Sequence, residues 1–143
     1  MLEQDVIQTR GFHNLVENGV ITGFQICVRS DYYRGIWLSQ LRVGKLIVDG
    51  ISYPEEMIRW EVNGKEYTIA EMKHESKVFW NILDVAKIKV KKAGGLSQGF
   101  HTVVVRFAAS CSYMPPILDR FDREGDDVSF NGGTYVKDKM IIV

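Results

Sequence analysis

MIRWEVNGKEYTI, residues 57–69, places Asn63-Gly64 between two alternating apolar and polar runs. Asn and Gly tolerate the positive φ required at both central positions of a type I′ turn, whose twist matches that of paired strands. Ile58, Trp60 and Val62 then face inward on the first strand, with Tyr67 and Ile69 inward on the second. The same period of two recurs outside this hairpin. Across Val20–Arg29, the side chains of Val20, Thr22, Phe24, Ile26 and Val28 share one face of a strand. Val48-Asp49-Gly50 offers a second turn after a short apolar run. Ala86, Ile88 and Val90 alternate with Lys87, Lys89 and Lys91, so the lysines form the wet face of a strand and discourage edge-to-edge pairing. Residues 100–109 are almost continuously apolar and β-branched, as in a central strand covered on both faces. Residues 139–143 resemble a last strand. Only residues 70–83 leave room for a helical turn or two, and their apolar spacing is poor. The expected fold is all-β: an antiparallel β-sandwich of jelly-roll or immunoglobulin-like type in a single domain, residues 1–143.

Composition bounds the function. The 143 residues are 45% hydrophobic and 25% charged, ordinary values for one globular domain. Lys and Arg total 18 against 18 for Asp and Glu, and the pI is about 6.8. That balance supplies no overall attraction to nucleic acid or to an anionic membrane, both of which require excess positive charge. The lysine row lacks the interleaved aromatics that stack bases. No apolar run is long enough to span a bilayer. The opening residues lack a signal-peptide pattern, and there is no Asn-x-Ser/Thr sequon. With no sign of secretion, Cys27 and Cys111 are read as buried free thiols rather than a disulfide, and the expected location is cytoplasmic.

Several motifs carry apparent chemistry. Gly95-Leu96-Ser97-Gln98-Gly99 matches the nucleophile pattern G-x-S-x-G, which needs a strand before the serine and a helix after it. Here a strand follows, and no histidine lies beyond His101 to complete a triad. Gly94 and Gly99 also have phosphate-loop spacing, but Phe100 and His101 stand where Lys and Ser/Thr would be needed. A tight glycine turn leading into the next strand explains both patterns. His13, His74 and His101 share no ligand-like spacing, so no metal site is legible. His101 draws attention because it enters a buried strand directly after that turn; a hydrogen-bonded core or rim role is favoured over a functional one. The carboxylate-rich residues 119–127 lack EF-hand spacing. Flanked by Pro115-Pro116 and Gly132-Gly133, they read as a solvated mobile loop over residues 114–133, or as a flap over a partner's site. Tyr32, Tyr33, Arg34 and Trp37 form the densest unusual cluster. These residue types dominate interfaces and serve cores equally well, so the cluster suits packing or the recognition of a partner chain or sugar ring.

Together, GVITGFQICVRSDYYRGIWLSQL, the following VDG, the hairpin WEVNGKEYT and GGLSQGFHTVVV resemble the small β subunits of bacterial C-glycoside deglycosidases. The resemblance runs from about Asp5 to Phe107, and YYRGIWLS is its most specific block. It implies a hetero-oligomer with a larger α subunit, a sugar-isomerase-like barrel holding a divalent metal, manganese. The implied substrate is a C-glycoside already oxidised at the sugar 3-position, whose carbon–carbon bond to a flavonoid-type aglycone is cleaved. A 3-keto group acidifies the C2 proton, so a general base can remove it, a metal can stabilise the resulting charge, and an acid can protonate the departing aglycone. The resemblance puts metal and acid–base pair on the α subunit. This chain then carries no cofactor and no catalytic residue, and Tyr32, Tyr33, Arg34, Trp37 and His101 are its candidate partner-interface or substrate-edge residues. The rival readings are a freestanding carbohydrate-binding or structural sandwich and a small metal-dependent lyase acting alone.

Overall fold

The computed structural model describes residues 6–30, 36–72, 74–75, 77–81, 84–109 and 131–142. Residues 58–68 fold as the hairpin the sequence predicts, whereas Ile69, expected on the second strand, instead opens a helical turn. Strand β6 (Ile58–Val62) turns at Asn63-Gly64 into β7 (Lys65–Thr68), with φ of 55° and 81° at the two turn residues. Ile58, Trp60, Val62, Tyr67 and Ile69 are all buried. Two more turns of the same kind stand at Asn18-Gly19, between β1 (Ile7–Glu17) and β2 (Val20–Arg29), and at Asp49-Gly50, between β4 (Leu41–Val48) and β5 (Ile51–Ser52).

A five-stranded antiparallel sheet has the order β1-β2-β9-β6-β7, with β9 at Val85–Lys91. A four-stranded antiparallel sheet, β11-β10-β4-β5, includes β10 (Gly99–Ala109) and β11 (Asn131–Ile142). A short ribbon pairs β3 (Ile36–Trp37) with β8 (Phe79–Trp80). The sheets share one core, as expected of a sandwich. Trp60 of β6 meets Phe107 of β10 at 5.7 Å between ring centroids and Trp80 of β8 at 5.8 Å, both edge to face. Phe24 and Tyr53 make a further edge contact.

Among the described residues, the α-helical part is one turn, α1 (Ile69–Met72). Thr68 and Glu71 form a reciprocal capping box: the Glu71 carboxylate accepts from Thr68 N–H at 2.9 Å, and Thr68 Oγ1 accepts from Glu71 N–H at 3.1 Å.

Three sequence expectations need correction. The lysine strand β9 is central, between β2 and β6, so its lysines guard no edge. They ride the outer face instead, where Lys89 binds Glu61 at 2.9 Å and Glu66 at 3.0 Å, and Lys87 reaches Glu61 at 3.5 Å. Strand β10 is not covered on both faces along its length. His101, Val103, Val105 and Phe107 are buried, whereas Phe100 is 69% exposed. The last strand begins at Asn131 rather than at residue 139. It carries a bulge in which Asp138 and Lys139 both oppose Thr102, with Lys139 at φ 59°. The rest of the expected loop over 114–133 lies outside the described residues.

Candidate functional site

Tyr32, Tyr33 and Arg34 lie outside the described residues, as does Cys111. Trp37 is placed at the end of β3, 42% exposed, with its ring edge-on to Phe79 at 5.0 Å. Asn63 Nδ2 donates to the Phe79 carbonyl at 2.9 Å, which ties this aromatic pair to the β6–β7 turn. Trp37 and Phe79 thus form a surface aromatic step supported from beneath by a hydrogen-bonded hairpin.

His101 sits elsewhere, inside the fold. The Gly94–Gly99 segment is the glycine turn the sequence implies, with positive φ at Gly94, Gly95 and Gly99 and β10 starting at Gly99. A strand follows Ser97, so the nucleophile-elbow geometry is not formed. The turn carries the Ser97 carbonyl to His101, whose Nε2–H donates to it at 2.7 Å. A carbonyl can only accept, which fixes a proton on Nε2. Nδ1 meets the Asp49 carboxylate at 2.5 Å, and the other oxygen of Asp49 accepts from Thr102 N–H at 2.9 Å. Asp49 N–H in turn donates to the Thr102 carbonyl at 2.9 Å.

Burial opposes a charge on the His101 ring, but the bonds to Asp49 and to the Ser97 carbonyl overcome it and hold the ring's pKa above the usual histidine value. Desolvation likewise opposes charge on Asp49; His101 and the Thr102 N–H outweigh it and hold the carboxyl below the usual range. Both ring nitrogens of the buried ring are committed inside the fold, Nε2 to the Ser97 carbonyl and Nδ1 to Asp49, so neither faces a substrate. Its chemistry is that of a latch joining the β4–β5 turn, the glycine turn and the start of β10, opposite the β11 bulge.

Among the described residues, no three His, Cys, Asp or Glu side chains gather in a way that could hold a metal ion. Cys27 is a buried free thiol, its pKa raised by desolvation.

The sequence reading missed an open groove of about 990 Å³ beside the tip of the β1–β2 hairpin. Its apolar walls include Val16, Val20, Ile21 and Met57, all exposed. Val16 and Ile21 pair across the strands, and Glu17 pairs with Val20 around the Asn18-Gly19 turn. Arg59, Lys91 and Lys92 also line the groove, together with Glu17 and the Lys89–Glu66 ion pair. The Asn18-Gly19 signal was present in the sequence. The apolar tip was hidden because Val20 continues the inward-facing alternation of β2, yet is 63% exposed at the hairpin tip.

Comparison with known proteins adds a second line of observation. Residues 2–113 match the family model described as C-glycoside deglycosidase beta subunit. The chain belongs to that family. A C-glycoside deglycosidase beta subunit from Eubacterium cellulosolvens is 41% identical over 99% of this chain and 99% of its own length. Another from Arthrobacter globiformis is 32% identical over 43% of this chain and 47% of its own. A 3'-dehydrocarminate deglycosidase beta subunit from a Microbacterium species is 27% identical over 66% of this chain and 70% of its own. Both Trp37 and His101 fall within the matched span, as does the hairpin whose tip borders the groove. As a member of that family, the chain is a subunit of a deglycosylating enzyme that also contains another subunit.

Proposed function

We propose that this chain is the small, non-catalytic subunit of a cytoplasmic complex that cleaves the carbon–carbon bond between a 3-oxo sugar and a flavonoid-type aglycone. The observation that carries this reading is the 41% identity, across 99% of both chains, to a C-glycoside deglycosidase beta subunit. In this reading the larger, barrel-type subunit holds the divalent metal, manganese, and the acid–base groups. The metal supplies stabilisation of negative charge when the C2 proton leaves. This chain stabilises and completes that subunit. His101 contributes by holding the β10 end in place, and Trp37, exposed on its hairpin support, offers an edge to partner or substrate.

Co-expression with the large deglycosidase subunit of the same source tests the proposal. The two chains are expected to co-purify and to consume a 3-oxo C-glycoside, releasing the aglycone, while this chain alone leaves it intact. Failure to co-purify would favour a freestanding sandwich, and turnover by the isolated chain would overturn its non-catalytic role.

A further inference from the structure

Four of the ten large hydrophobic side chains that are exposed among the described residues converge on the groove at the β1–β2 tip: Val16, Val20, Ile21 and Met57. Such convergence marks an interaction surface more strongly than scattered apolar exposure does. The groove is open and walled by branched aliphatics, whereas small-molecule sites enclose most of their ligand and converge polar groups on it. Its charge is one-sided. Glu66 is neutralised by Lys89, leaving Glu17 against Arg59, Lys91 and Lys92. The tip is also held rigid. Asn18 and Gly19 occupy a tight turn with φ of 51° and 78°, and Lys92 N–H and Gly94 N–H donate to the carbonyls of Thr22 and Ile21 at 2.9 and 3.1 Å. A preformed surface loses little freedom on binding.

We propose that this groove is the docking site for the large subunit, and that it accepts an apolar segment of that subunit flanked by carboxylates. The inference rests on the heteromeric reading above and adds the place and chemistry of the contact. It also separates the groove, on the five-stranded sheet, from the aromatic step on the β3–β8 ribbon. The groove lies where β6 begins and β9 ends, at Arg59 and Lys91, while the Trp37–Phe79 step stands at the opposite end of β6, beside the Asn63-Gly64 turn. Docking at the groove leaves that aromatic step uncommitted.

The test is titration of the purified large subunit with this chain and its variants, each first shown to unfold at the wild-type temperature. Val20→Asp and Met57→Asp put carboxylates on exposed positions of the wall. Each is expected to weaken association by about tenfold or more, the effect of a truncated or mismatched interface anchor. The double variant R59E/K91E is expected to weaken it similarly and to reduce its salt dependence. Val136→Asp and Phe100→Asp, both exposed on the β10–β11 pair away from the groove, are expected to leave affinity within about twofold, as for residues outside an interface core. If the wild-type chain does not bind the large subunit, the heteromeric reading itself fails. If it binds and the groove variants bind equally well, only the groove assignment is overturned. That assignment also falls if Val136→Asp or Phe100→Asp abolishes binding instead, or if the groove variants change only self-association of this chain.

Discussion

Gly23 and His101 show how much can rest on a single position. A Cβ at Gly23 would overlap the Val90 carbonyl of the neighbouring strand, a backbone atom that cannot swing away. Gly23→Ala is therefore expected to cost about 1–3 kcal/mol, the range for overpacking, seen as a lower urea midpoint with unchanged slope. For His101, the sign of the pH dependence follows from the two shifted groups. The His101 pKa is raised in the fold, so its contribution is complete below the unfolded value of about 6.5 and is lost as pH rises through the folded value. The Asp49 pKa is lowered, so its contribution is present above the unfolded value near 4 and is lost as pH falls through the folded value. The latch thus stabilises most in mildly acidic solution. Denaturant titrations from pH 5 to 9 should show stability declining on the alkaline side. In Asp49→Asn that decline should shift to lower pH and shrink, because the neutral amide no longer favours the imidazolium.

The hairpins and the capped turn α1 belong to the scale of elements. Gly64 has open space where a Cβ would go, so Gly64→Ala isolates the cost of a side chain at φ 81°. About 1–2 kcal/mol is expected from that backbone effect, measurable by thermal unfolding. A similar loss, about 0.5–2 kcal/mol, is expected for Thr68→Ala, which removes the cap of α1 and leaves Glu71 with half of its reciprocal pair. Both elements were readable as local signals. Asn63-Gly64 announced its hairpin, and Thr68-Ile69-Ala70-Glu71 has capping-box spacing that points to α1 more directly than apolar periodicity did. The exposure of the β1–β2 tip was less legible, since alternation assigns a face to each residue and says nothing about where the opposing layer stops.

At the scale of the molecule, the two sheets are joined through aromatic rings. Phe107 of β10 touches Trp60 of β6, Trp80 of β8 and Tyr135 of β11, so four strands meet at one side chain. Phe107→Ala is expected to cost about 3–5 kcal/mol, the range for deleting a buried aromatic, and to lower the single unfolding transition rather than split it. Retention of the fold with a loss near 1 kcal/mol would mean that the layers are held chiefly elsewhere.

Local signals along the chain were enough for the all-β class, the Asn63-Gly64 hairpin, the β2 strand, the glycine turn before β10 and, through blocks of similarity, the family. All of these are carried by near neighbours, where side-chain period and turn chemistry act within a few residues. Tertiary structure alone decided what His101 does, because its partner Asp49 is 52 positions away and its burial depends on the opposing sheet. The order of strands was decided in the same way: a lysine-striped strand looks alike at an edge or in the centre, and only pairing with β2 and β6 places it. The groove, too, exists only once β1, β2, β6 and β9 end together and leave four apolar side chains in water.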